Sequence, residues 1–273
     1  MPYARIIQTS LRAALGLSVA VSLAACDVVV NTMEGGKATA AEQWSRTFTL
    51  GDTGQVEVIN VNGRIEVEGV DGTTMDVKAD ITVRAGTDEA ARDLLKQVEI
   101  REENTNGRVR LETRYPKGLG RSNVEIKYVL RVPRSAGVAL ETTNGVIVVN
   151  QIAGRVRAET TNGGVEGRNL SGAVSASTTN GAVDMALTKL SPDGVTLETT
   201  NGSVALTIPA DARGTISARC VNGSIKVSDL NVEKTESSRR RLEGTLNGGG
   251  PAIRLETVNG GIHIGRSQGP VNE

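Results

Sequence analysis

LETTNG, residues 197–202, decides the fold, because close variants of it recur along the chain at one internal phase. With the Asn of each Asn-Gly pair as zero, the series runs Asn62, Asn106, Asn144, Asn162, Asn180, Asn201, Asn222 and Asn259, at spacings of 44, 38, 18, 18, 21, 21 and 37. Six positions before the Asn stand Val56, Ile100, Val138, Val156, Val174, Val195, Ile216 and Ile253. Three positions after it stand Ile65, Val109, Ile147, Val165, Val183, Val204, Ile225 and Ile262. All sixteen are β-branched. A ninth pair, Asn247-Gly248, has Arg241 and Gly250 at these offsets and reads as a loop. Each matching unit is therefore a strand with period-two alternation, a corner, and a second strand.

Asn and Gly tolerate positive φ at least cost, so the pair is expected to bend the chain there. The expected corners are Asn62-Gly63, Asn144-Gly145, Asn162-Gly163, Asn180-Gly181, Asn201-Gly202, Asn222-Gly223 and Asn259-Gly260. Extra residues sit opposite them, in LSPD (190–193) and IPADARG (208–214), as stacked repeats allow. Two all-β architectures fit. Asn-Gly between alternating runs is a hairpin signal, so an antiparallel β-meander or sandwich is legitimate. A parallel β-solenoid of 18–21-residue coils is favoured by identity across units. Thr142, Thr160, Thr178 and Thr199 share one offset and would stack about 4.8 Å apart, as would the asparagines. Cys220 occupies that Thr position and is expected to be buried packing, since reactive thiols need partly exposed electropositive sites.

Outside the coils the pattern changes. Thr87 followed by DEAARDLLKQV predicts one short amphipathic helix near 88–98, with an N-cap, two acids in the first turn and apolar residues at 91, 94, 95 and 98. It is expected to cap the open end of the solenoid. The run Arg239-Arg240-Arg241 reads as a solvated loop, with phospholipid headgroups or an anionic glycan as the alternative contact.

The first 25 residues read as a processing signal. Arg5 and Arg12 precede ALGLSVAVSLAA, an apolar run too short to cross a bilayer comfortably, and no acid occurs before Asp27. Leu23-Ala24-Ala25-Cys26 resembles the lipobox of bacterial lipoproteins, which implies acylation of Cys26, palmitate included, and membrane attachment through it. Two or three acyl chains anchor firmly. The chain is thus placed in the bacterial cell envelope, facing the periplasm or the surface, and Asp27 tilts the choice toward the inner membrane. Residues 26–43 read as a lipidated tether. The β-repeat domain spans 44–265, less regular over 44–137 and regular over 138–265, and 266–273 is a tail. With Cys26 committed to lipid, Cys220 has no partner for a disulfide.

Composition narrows the function. The 273 residues hold one Trp, one Phe and three Tyr, so the core must be aliphatic and a glycan-stacking groove is not expected. Net charge is zero, which gives no field for nucleic acid. No Walker-type loop, Cys/His metal spacing or calcium-binding nonapeptide occurs. No catalytic constellation assembles around the single His263, and no cofactor or metal is expected. A polysaccharide-active β-helix using Asp184, Glu159, Glu198 and Glu256 is the enzymatic alternative. Glu141, Glu159, Glu198 and Glu256, however, share an outward offset and read as a solubilising row.

VEIKYVLRVPRSAGVALETTNGVIVV (124–149), the TTNG coils after it, and LEGTLNGGGPAIRLETVNGGIHI resemble the bacterial DUF4097 family of adhesin-like β-strand-repeat proteins over roughly residues 44–265. The resemblance implies a repetitive exported or membrane-attached β domain without established activity. The expected function is a non-catalytic structural or adhesin-like binding module with a protein or glycan ligand. The alternative is an accessory in envelope-stress sensing through a protein partner.

Overall fold

The computed structural model describes residues 28–34, 37–51, 53–115 and 124–267, with side chains from residue 38 onward. The chain enters through β1 (Val28–Glu34) and β2 (Lys37–Thr49) and lays down a first coil, β3 (Gln55–Ile59) and β4 (Ile65–Val70). Then come β5 (Thr74–Ala85), helix α1 (Asp88–Leu95), the hairpin β6 (Glu99–Thr105) and β7 (Arg108–Arg114), and β8 (Val124–Pro133). Five coils follow, β9 (Gly137–Asn144) with β10 (Ile147–Asn150), β11 (Val156–Asn162) with β12 (Val165–Leu170), β13 (Val174–Asn180) with β14 (Val183–Leu187), β15 (Val195–Asn201) with β16 (Val204–Ile208), and β17 (Gly214–Asn222) with β18 (Ile225–Ser228). The hairpin β19 (Val232–Ser237) and β20 (Arg241–Leu246) precedes the last coil, β21 (Ala252–Asn259) with β22 (Ile262–Arg266).

These strands form two eleven-stranded sheets. In the first the order is β1-β2-β5-β8-β4-β10-β12-β14-β16-β22-β18, and in the second β19-β20-β17-β21-β15-β13-β11-β9-β3-β7-β6. From β8 to β18 and from β7 to β17 every neighbouring pair is parallel. This is a β-solenoid, and antiparallel pairing is confined to its two ends. Register follows the offsets read from the sequence, with Val156 beside Val138 and Val174, and Thr160 beside Thr142 and Thr178. The β-branched positions of the coils, together with Leu and Ala at alternate sites, are buried between the sheets, except Ile225 on the outermost coil, which is half-buried. From β9 onward this core, mainly Val, Ile, Leu and Ala, needs no aromatic filling because each coil spans only two layers, whereas Tyr128 on β8 is fully buried at the less regular end.

The order of coils in space differs from their order in sequence at both ends. The first coil, β3–β4, lies between β7–β8 and β9–β10, and the last, β21–β22, lies between β15–β16 and β17–β18. Each outermost coil also carries an antiparallel hairpin, β6–β7 or β19–β20. The edge strands β6 and β19 expose Arg101, Glu102 and Glu103, and Glu233, Lys234 and Glu236, charges that discourage pairing with another sheet.

Two expectations change here. Of the expected 26–43 tether, the described residues 28–34 and 37–43 form strand instead. Lys37–Thr49 forms a long strand paired with β5, and Ala38 and Ala40 are buried opposite Ala85 and Val83. Alanine and threonine alternate there with the strand period, but alanine is a weak strand former and hides the signal. Asn106-Gly107 is not a coil corner; it is the two-residue loop of the β6–β7 hairpin, with φ of +50° and +77°, the signature of a type I′ turn. The helix forms where expected, ending at Leu95. Thr87 Oγ1 accepts from the N–H of Ala90 (3.2 Å), and Ala91, Leu94 and Leu95 are buried. It packs on β2 and β5, covering the strands that extend the first sheet beyond the second at this end. The residues assigned to the signal segment, together with Cys26, Asp27 and 268–273, lie outside the described residues.

Candidate binding surface

The seven predicted corners coincide in space, in the order Asn62, Asn144, Asn162, Asn180, Asn201, Asn259 and Asn222. Their physical basis differs from the expectation, since none of these asparagines has positive φ. The side chains instead form one directional amide ladder. Each Nδ2 donates to the Oδ1 of the preceding corner, at 2.7–2.8 Å from Asn144→Asn62 through to Asn222→Asn259. Glycine follows because the coils touch there. A Cβ on Gly181 would lie 2.0 Å from the carbonyl oxygen of Gly163, and one on Gly202 would lie 1.9 Å from that of Gly181.

The buried threonines serve the same carbonyls. Thr160, Thr178, Thr199 and Thr257 donate through Oγ1 to the carbonyls of Gly145, Gly163, Gly181 and Gly202 at 2.8–3.0 Å. Asn60 takes this role in the first coil, its Nδ2 donating to the Ile126 carbonyl at 2.9 Å. Asn, Gly and Thr thus form one repeated joint, with an amide for the ladder, a bare Cα for contact and a hydroxyl for the exposed lone pair of the carbonyl. Cys220 stands at the Thr position of the outermost coil, 3 % exposed, beside Thr257. Burial pushes its thiol pKa up, against the nearby Arg240 and Arg239.

Inward and corner positions are therefore committed to the fold, and the outward rows remain. The second sheet presents Glu141, Glu159, Ser177, Glu198, Glu256 and Arg219 side by side along one row. Next to it run Thr143, Thr161, Thr179, Thr200, Val258 and Val221. Thr160 is buried and Thr161 exposed, as their parity requires. Val221 and Val258, 49 % and 40 % exposed, adjoin at the far end of this face. A shallow groove of about 350 Å³ runs there between Ser177, Glu198, Thr200, Arg219 and Glu256. Ion pairs such as Arg157–Glu159 (2.7 Å) and Arg254–Glu256 (2.9 Å) hold part of the charge locally. At the other end Glu57 meets Arg110 (2.6 Å) and Arg108 (3.1 Å). Burial would raise its pKa, but the hydrogen bonds and charges of the two arginines outweigh burial and lower it. Such a surface offers hydrogen bonds and small apolar contacts to an extended partner.

The residues of the enzymatic alternative are not brought together. Asp184 lies on the outer face of the first sheet, paired with Arg168 at 2.6 Å, whereas Glu159, Glu198 and Glu256 belong to the second sheet. His263 is exposed on β22, between Ala205 and Lys226. Among the described residues no group of His, Cys, Asp and Glu could hold a metal ion, and no helix is long and apolar enough to cross a membrane. Arg239 and Arg240 are exposed in the bend between β19 and β20, as the loop reading expects. Their carbonyls accept from the N–H groups of Ile225 and Cys220 (both 3.0 Å). Arg241 belongs to β20, where it pairs with Glu236 at 3.0 Å.

Comparison with solved structures finds distant likenesses, among them the following three. A candidate cell adhesion protein from Clostridium sporogenes ATCC 15579 is 13% identical, over 82% of this chain and 100% of that one, with a TM-score of 0.43. A candidate adhesin from Bacteroides fragilis NCTC 9343 is 11% identical, over 82% and 97%, at 0.38. A candidate lipid binding protein from Parabacteroides distasonis ATCC 8503 is 12% identical, over 83% and 97%, at 0.30. At these scores nothing about ligand or task is carried from them. No curated protein matches the sequence. The family comparison matches residues 134–265, which hold the coils from β9 onward, to Toastrack DUF4097. Over those residues, just under half of the chain, the sequence is similar to the DUF4097 toastrack family.

Proposed function

We propose that this protein is a lipid-anchored module of the bacterial cell envelope, acting without catalysis as a scaffold that presents one face of its solenoid to a partner. The observation that carries the reading is the commitment of every inward and corner position of the regular coils to packing or to the Asn-Gly-Thr joint. Only open outward rows, polar except for Val221 and Val258, are left for recognition. Anchoring rests on the Leu-Ala-Ala-Cys stretch at 23–26. With β1 beginning at Val28, Cys26 is at most about 7 Å of chain from the first strand. An acylated Cys26 therefore holds the β1 end of the stack close to the bilayer, with the coils extending from it. A protein segment suits the second sheet's outer face better than a glycan, because the face lacks stacking aromatics.

Two measurements in cells test this. Cys26→Ser should move the protein from the membrane fraction to the soluble one, and retention in the membrane would refute the anchor. A photo-crosslinking residue at Thr200 or Val258 should capture a specific partner that the same residue at Ala205, on the other sheet, does not. Equal capture from both faces, or none from Thr200 and Val258, would refute the binding face.

A further inference from the structure

The nine Asn-Gly pairs raise a chemical question, because this dipeptide can deamidate without an enzyme. The backbone nitrogen of the Gly attacks Cγ of the Asn side chain, the Cγ–Nδ2 bond breaks, and ammonia leaves. The cyclic imide then takes up one water. Opening at the side-chain carbonyl gives Asp, and opening at the backbone carbonyl gives isoaspartate. Only water is consumed. The reaction needs a Gly nitrogen free to attack, and an Asn side chain free to turn toward it.

Six of the seven corner pairs are blocked twice. The Gly63, Gly145, Gly163, Gly181, Gly202 and Gly260 N–H groups each donate to the Asn carbonyl of the adjoining coil at 2.8–2.9 Å. Each Asn amide in the ladder is also held, through Nδ2, through Oδ1 or through both. Asn222, on the outermost coil, keeps the amide restraint alone, donating to Asn259 at 2.8 Å. Asn247 is restrained in another way, its Nδ2 donating to the carbonyls of Ala210 (3.0 Å) and Ala212 (2.8 Å). Asn106 has neither restraint. It is exposed at the tip of the β6–β7 hairpin, and its side chain makes no hydrogen bond among the described residues.

We infer that Asn106-Gly107 is a site of spontaneous deamidation in the folded protein, and that the solenoid shields its stacked asparagines from the same reaction. Conversion to isoaspartate inserts a methylene into a two-residue turn and adds a negative charge beside Glu103 and Arg108. This loosens the hairpin that closes the β7 end of the second sheet. A ladder asparagine that reacted would place a carboxylate where its neighbour's amide oxygen needs a donor, so shielding preserves the stack.

Peptide mapping by mass spectrometry tests the inference on the full chain aged in mildly alkaline heavy-oxygen water, folded and in denaturant. In the folded protein, label should enter the Asn106 peptide at least about tenfold faster than the peptides of Asn144 to Asn201, the factor that 1.4 kcal/mol of opening cost imposes. In denaturant the rates should converge. Ladder peptides keeping pace with Asn106 in the folded protein would overturn the inference. So would an Asn106 peptide that stays unlabelled when folded but reacts when unfolded.

Discussion

Gly202→Ala should unfold the protein more readily than any exposed glycine substitution, through contact between coils. A Cβ at 202 would lie 1.9 Å from the Gly181 oxygen and 2.5 Å from its carbon, whereas ordinary contact begins at 3.4 Å. Both neighbours are backbone, so no rotamer change relieves the clash. The coils must part at the corner, which strains three hydrogen bonds, Thr199 Oγ1 to the Gly181 carbonyl (2.9 Å), Asn201 Nδ2 to Asn180 Oδ1 (2.8 Å) and Gly181 N–H to the Asn201 carbonyl (2.9 Å). At roughly 0.5–1.5 kcal/mol net each, loss of all three costs about 1.5–4.5 kcal/mol. Gly86→Ala is the control, since a Cβ there meets nothing within 4 Å, and it should fall within about 0.5 kcal/mol of the parent, as exposed substitutions do. Urea unfolding followed by far-ultraviolet circular dichroism gives both values. If Gly202→Ala lies within error of Gly86→Ala, the coils do not meet as described and the corner argument fails.

Other consequences can be measured in the same way. Cys220→Thr places a hydroxyl at the one threonine position of the outer coils that lacks it, and should stabilise by about 1 kcal/mol; a loss of that size would show that the thiol is fitted to its site. Glu57, whose folded pKa is lowered, contributes stability that is present above its unfolded pKa and is lost as pH falls through the folded value. Glu57→Gln should therefore flatten the acid limb of the stability–pH curve, and an unchanged limb would refute the Arg108–Arg110 clamp. Ending the chain at Gly250 removes β21–β22, the only coil among the described residues that β17–β18 pairs with. Hydrogen exchange should then show 214–246 unprotected and 138–187 still protected, and persistent protection of 214–222 would refute the inserted coil.

Much of this architecture was legible because side-chain parity and residue identity report which positions are equivalent. Thr199 inward, Thr200 outward and Cys220 buried all follow from one offset. Parity does not report strand direction, however. The Asn106 unit satisfies the same offsets as the coils, since a hairpin also preserves alternation on both arms. Nor does equivalence report order. The 37-residue gap before Asn259 signalled an insertion, but placing that coil between those of Asn201 and Asn222 depends on where the β19–β20 hairpin folds back. The role of Asn was misread for a related reason. Its tolerance of positive φ is a property of one residue, whereas the ladder is a property of seven coils together. The binding face has no sequence signature beyond its small and charged outward residues, so it emerged only once the inward positions were accounted for.

The central claim is a parallel stack with its last coil inserted, and distances between spin labels on one outward row test it most directly. Labels at Glu141 and Glu256, and separately at Glu141 and Arg219, would be placed in a chain carrying Cys26→Ser and Cys220→Ser. Four coil spacings separate the first pair and five the second, so the distances should be about 19 Å and about 24 Å at 4.8 Å per step. The opposite ranking would mean that the coils stack in sequence order, and distances unrelated to the coil count would contradict the solenoid itself.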